Sequence, residues 1–131
     1  MSEPHAPSVL DASALLALLH AEPGAPVVED AVERAVISAV NWSEVQQRRV
    51  AHGVDGTGLR ADVEGLGVAI EPFTAEDAEQ AAELWAPTRS LGLSLADRAC
   101  LALALRLGRP ALTADRAWLE LDVGVEIRSI R

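Results

Sequence analysis

The stretch VLDASALLALL, residues 9–19, decides how the chain is to be read. Ser8 to Leu10 suits a short strand, which ends at Asp11; Ser13 to Ala21 has helical character until Glu22-Pro23-Gly24 stops it. A strand that hands over to a helix at a carboxylate is the opening of a β-α unit, and the same grammar recurs downstream. AVISAV, residues 35–40, is short and rich in β-branched residues, so it reads as a buried strand. Asn41 to His52 reads as the helix behind it, with Asn41 or Ser43 as cap and Gly53 as stop. Val68 to Phe73 is a third strand, and Thr74 to Asp77 has the form of a capping box for a helix from Ala75 to Trp85. Ser94 to Asp97 has the same form and opens an apolar helix to Leu107, ended by Gly108 and Pro110. Ala111 to Thr113 and Val125 to Ile130 read as the last strands, with a short helix from Arg116 to Leu121 between them. Further helices are expected over Val27 to Arg34 and Leu59 to Glu64, and residues 1–6 read as a loose tail.

Strands alternating with helices predict an α/β fold: a central, mostly parallel sheet of four to five strands flanked by helices. The 131 residues suit a single domain, and the 50% hydrophobic content is enough for a sizeable core. One cysteine, Cys100, rules out a disulfide framework or a cysteine-rich zinc site, and is best read as a core filler in a reducing compartment. The apolar run from Val9 to Ala21 is too short to span a bilayer and has no basic residue before it. A cytoplasmic protein with no membrane partner is the expectation.

Charge sets a sharper question. Eleven basic residues, all arginine, face twenty acidic ones, for a net charge of −9. Taken whole, that balance argues against a nucleic-acid partner, and the 3% aromatic content argues against binding single strands on stacked rings. The first inference depends on where the acids lie. Asp11, Glu44, Asp97 and Asp115 each interrupt a strongly apolar run: VLDASALL, AVISAVNWSEV, LSLADRACLALAL and ALTADRAWL. All fall at strand ends or helix starts, where a parallel sheet gathers its ligand-binding residues at one edge. A carboxylate close to a core is costly unless it is paired, capped or bound to a metal. Four of them without a lysine nearby suit a hard divalent cation such as Mg²⁺ or Mn²⁺, which takes oxygen ligands. Each acid also has a plainer reading: Asp11, Asp97 and Asp115 as helix caps or first-turn acids, and Glu44 as a partner for Arg48 one turn on. Metal-assisted phosphoryl or phosphodiester cleavage fits the set as a whole.

At these residues the chain resembles the PIN-domain family, and within it the VapC-like ribonuclease toxins of type II toxin–antitoxin pairs. Four blocks carry the resemblance, in order and spread over most of the chain: VLDASALLALL with Asp11 and Ser13, AVISAVNWSEV with Glu44, LGLSLADRACLALAL with Asp97, and ALTADRAW with Thr113 and Asp115. It implies an endoribonuclease that depends on Mg²⁺ or Mn²⁺ and leaves a 5′-phosphate and a 3′-hydroxyl. Asp11, Glu44, Asp97 and Asp115 would be the catalytic, metal-binding carboxylates, with Ser13 and Thr113 supporting them by hydrogen bonds. It also implies a homodimer and a small VapB-like antitoxin whose tail occupies the active site. Many relatives carry a further acid where this chain has Ala117, so one firmly held metal is expected.

Arg48, Arg98 and Arg116 flank these acids and are candidate contacts for RNA phosphates, with surface ion pairs as the alternative. His5, His20 and His52 take no role. Trp42, Trp85 and Trp118 read as core or interface residues, and Glu71, Glu76, Asp77, Glu79 and Glu83 as a solvated acidic face. Two other functional classes stay open at this level. One is a phosphohydrolase or phospho-acceptor domain with Asp11 as nucleophile, against which the missing lysine counts. The other is a non-catalytic binding module with the same fold.

Overall fold

The computed structural model describes residues 7–131, so the tail assigned to residues 1–6 lies outside the described residues. Five short strands form one sheet: β1 (Val9–Leu10), β2 (Val36–Ser38), β3 (Ala69–Glu71), β4 (Ala111–Thr113) and β5 (Ile127–Ser129). Their order is β3-β2-β1-β4-β5, and every pairing is parallel. The helices are α1 (Ala12–Leu19), α2 (Ala25–Ala31), α3 (Ala39–Ala51), α4 (Leu59–Gly65), α5 (Ala75–Glu83), α6 (Trp85–Thr88) and α7 (Leu95–Leu107), with 3₁₀ turns at Arg89–Leu91 and Arg116–Glu120.

The inner strands β1, β2 and β4 are buried along their whole length because both sheet faces are covered there, whereas the edge strands β3 and β5 are only partly covered. Alternate residues point to opposite sides. Leu10, Ile37 and Leu112 join Leu15, Val28 and Val45 in one core cluster. Val9, Val36 and Ala111 join Leu101, Leu103 and the buried ring of Trp118 in the other. Trp85 lies outside both cores, about half exposed, with the Arg89 guanidinium 5.4 Å from its ring centre.

The chain builds outward from β1 through β2 to β3, then crosses to the other side of β1 for β4 and β5. The direction of winding therefore reverses between β1 and β4, and a crevice opens beyond the carboxyl ends of strands at such a switch point. Val9 pairs with Ala111 and Leu10 with Leu112, so Asp11 and Thr113 leave the sheet side by side.

Several expected boundaries move. The strand expected over 35–40 stops at Ser38, whose Oγ accepts from the Val40 amide and caps α3. Asn41 and Ser43 are inside that helix rather than at its cap. The helix expected over 75–85 breaks after Glu83, and a separate short turn of helix carries Pro87. Both capping boxes form as expected, at Thr74/Asp77 and Ser94/Asp97, and Gly108 ends α7 in the left-handed conformation at φ 64°. Asp77 is no part of a solvated face: it is 3% exposed, and Arg106 of α7 reaches both its oxygens, at 2.8 and 3.2 Å. Its place in the first turn of α5, packed on α7, buries it while its acidic neighbours stay outside. No helix among the described residues is long and apolar enough to cross a membrane.

Candidate active site

Asp11 is the residue at which β1 becomes α1. Its backbone is extended and its amide bonds the Leu112 carbonyl at 2.9 Å, which continues the β1–β4 ladder. Although it occupies the cap position of α1, its side chain makes no capping bond. The carboxylate is held from elsewhere. Ser13 Oγ donates to Asp11 Oδ2 at 2.6 Å, and Thr113 Oγ1 donates to the same oxygen at 2.9 Å. The two hydroxyls are themselves anchored: Ser13 Oγ accepts from the Ala114 amide at 3.0 Å, and Thr113 Oγ1 accepts from the Asp115 amide at 3.1 Å. One oxygen of Asp11 is thereby fixed from both sides of the switch point, and the residue is only 5% exposed.

The other three acids arrive on separate elements. Glu44 comes from the second turn of α3, where Asn41 Nδ2 donates to its Oε1 at 3.2 Å. Asp97 sits in the first turn of α7, with Oδ2 accepting from the Ser94 amide at 2.9 Å. Asp115 opens the turn after β4, with Oδ1 accepting from the Ala117 amide at 3.0 Å. The capping reading of Asp97 and Asp115 is thus accurate but incomplete, because a cap engages one carboxylate oxygen and leaves the second. Asp11, Glu44, Asp97 and Asp115, with Ser13, Leu16, Gln47, Arg48 and Ala51, line a single open cavity of about 440 Å³.

Electrostatics ties the acids together. Burial pushes the Asp11 carboxyl above the usual carboxylate range; the Ser13 and Thr113 bonds offset part of that rise, and the charge of Asp97 adds to it. Burial also raises Glu44, offset in part by the Asn41 bond and reinforced by the charges of Asp11 and Asp97. Nearby like charges thus add to the opposition to ionising Asp11 and Glu44. A bound cation reverses that sign, so the donor set fits a divalent metal. All its donors are hard oxygens, as Mg²⁺ and Mn²⁺ prefer. Among the described residues no three acids, histidines or cysteines stand together as a ready-made ligand cluster.

Of the three candidate arginines, only Arg48 lines the cavity. Arg98 Nη1 instead donates to the Ala81 carbonyl of α5 at 2.7 Å, and Arg116 Nη1 to the Arg131 carbonyl at 2.8 Å. No ion pair joins Glu44 to Arg48 among the described residues. His20 and His52 line a neighbouring apolar pocket of about 280 Å³ with Leu16, Val45 and Leu59. Cys100 is fully buried, and its thiol is pushed well above its ordinary value, first by burial and then by the charges of Asp11, Asp97 and Glu44. It is inert filler behind the acids. Asn41, expected only as a helix cap, instead bonds the Glu44 carboxylate. Its signal was its place three residues before Glu44, which puts the two on one helix face.

The sequence matches the PIN domain over residues 8–124. The chain belongs to the PIN-domain family. Solved structures agree in fold. A chain from a toxin–antitoxin complex of Klebsiella pneumoniae superposes with a TM-score of 0.75 at 18% identity, covering 95% of this chain and 98% of that one. FitAcB from Neisseria gonorrhoeae gives 0.65 at 18% identity, covering 93% and 96%. DNA-bound VapBC from Salmonella typhimurium gives 0.65 at 13% identity, covering 94% and 97%. No curated protein sequence matches the chain.

Proposed function

We propose that this PIN-domain chain is an Mg²⁺- or Mn²⁺-dependent endoribonuclease, acting as the toxin of a toxin–antitoxin pair. The observation that carries the reading is the convergence of four carboxylates from four separate elements on one cavity at the β1/β4 switch point. Membership of the PIN family and the likeness to chains from toxin–antitoxin complexes support the nuclease and toxin parts of it.

Asp11, Glu44, Asp97 and Asp115, which line the cavity together, would hold the cation. When bound, the metal supplies Lewis-acid polarisation of a phosphodiester and a water of lowered pKa. Ser13 and Thr113 hold the Asp11 carboxylate in place and offset part of the cost of ionising it, since a hydroxyl that donates to a carboxylate favours its charged form. Arg48, at the cavity wall, would contact a phosphate of the RNA. The same acidic cavity suits the basic tail of a small antitoxin, which would compete with the cation and the substrate for the carboxylates.

Sequencing of 5′-phosphate RNA ends after induced expression tests the reading. The wild type should produce new, discrete ends and arrest growth, and Asp11→Asn should do neither. Identical ends from both proteins would refute it.

A further inference from the structure

Asn41 is completely buried, on α3 one turn before Glu44. Its Nδ2 donates two hydrogen bonds, to Glu44 Oε1 at 3.2 Å and to the Ala96 carbonyl of α7 at 2.9 Å. Ala96 immediately precedes Asp97. One amide group therefore joins the helix that carries Glu44 to the first turn of the helix that carries Asp97. Both partners are acceptors, so the amide's orientation is determined by them.

The opposite end of the side chain is the informative one. Asn41 Oδ1 is buried and has no hydrogen-bond partner. An amide buried with its carbonyl unpaired costs stability, and an apolar side chain of similar branching would serve the α3–α7 contact better. As a helical carbonyl, Ala96 keeps its bond from the amide four residues on and has no need of Asn41. What an apolar residue cannot supply is a donor to the Glu44 carboxylate.

We propose that Asn41 is a positioning residue. It holds the Glu44 carboxylate at a set place relative to Asp97, so that acids from two different helices act on one divalent cation. The inference rests on the functional reading above and adds to it a residue outside the carboxylate set. Asn41 is not a cavity-lining residue and acts only through Glu44.

The test is calorimetric titration of Mn²⁺ into the purified full-length wild type, Asn41→Leu and Asn41→Ala, with thermal unfolding of each protein in metal-free buffer. Loss of a group that orients a metal ligand weakens affinity on the order of 10–100-fold. The expected result is that loss in Asn41→Leu, with a melting midpoint no lower than that of the wild type; a purely structural amide gives the opposite pattern. Asn41→Ala should show the same weakening if the leucine is too large to fit. Unchanged Mn²⁺ affinity in either folded variant overturns the positioning role and leaves the functional reading standing. A wild type that binds no Mn²⁺ overturns both.

Discussion

Asp11 illustrates how much one residue's surroundings determine its chemistry. It stands where a helix cap stands, but the hydroxyls of Ser13 and Thr113 hold its side chain while the α1 amides are left to themselves. Its folded-state pKa and that of Glu44 lie above their ordinary values. For a carboxylate so shifted, the native state binds protons more readily than the unfolded chain. The stability that these groups contribute is fully present below the ordinary value, about 4, and is lost as pH rises through the raised one. The metal-free protein should therefore lose stability in urea unfolding as pH climbs from about 4 towards neutrality. Asp11→Asn should flatten that decline, and millimolar Mg²⁺ should oppose it in the wild type only. A decline just as steep in Asp11→Asn would show that the buried charge is not the cause. Asp77 works in the other direction: burial alone would raise it, but the Arg106 and Thr74 bonds bring it below its ordinary value, so its contribution is lost in acid.

At the scale of elements, one device serves two purposes. The box at Ser94 and Asp97 caps α7 and also holds a carboxylate that lines the candidate site, whereas the box at Thr74 and Asp77 caps α5 and anchors Arg106. Ser94→Ala should cost about 1 kcal/mol, as loss of a cap does, and should also reduce metal-dependent cleavage, because the Asp97 backbone amide loses its hydroxyl acceptor and only the bond from the residue-94 amide to the carboxylate is left to hold that turn. Arg106→Ala leaves a buried carboxylate without its cation and should cost about 2 kcal/mol, with cleavage rates per folded molecule unchanged. Paired unfolding and cleavage assays check both, and an activity loss in Arg106→Ala would break the distinction. Elements of this kind were partly legible. Both boxes follow an S/T-x-x-D spacing that is visible in the sequence. The start of α3 was not, because AVISAV runs without a break from strand into helix, and only the Ser38 hydroxyl's bond to Val40 marks the join. Asp77 was misplaced among solvated acids because its burial depends on α7 packing beside α5, and local pattern carries no trace of that contact.

For the whole molecule, parallel topology was readable from the alternation of strands and helices, and the site follows from topology. Acids far apart in sequence meet because β1 and β4 are neighbours at the switch point and because α3 and α7 begin at the same sheet edge. The arginines were less legible, since a flexible side chain's direction is set by what it finds: Arg98 reaches a carbonyl of α5 and Arg48 the cavity. Part of the net charge of −9 is gathered at the cavity. Four acids surround the cavity, so RNA should bind weakly without a divalent cation and measurably tighter with one, by fluorescence titration with a non-cleaved RNA; tight metal-free binding would contradict this.

The most direct test of the central claim is cleavage of a structured RNA by the purified protein, with and without Mn²⁺, against Asp11→Asn. The wild type should cleave only with metal, leaving 5′-phosphate ends, and Asp11→Asn should cleave at a rate on the order of 10²–10³-fold lower. Cleavage that survives chelation of metal, or that Asp11→Asn performs as well as the wild type, would contradict it.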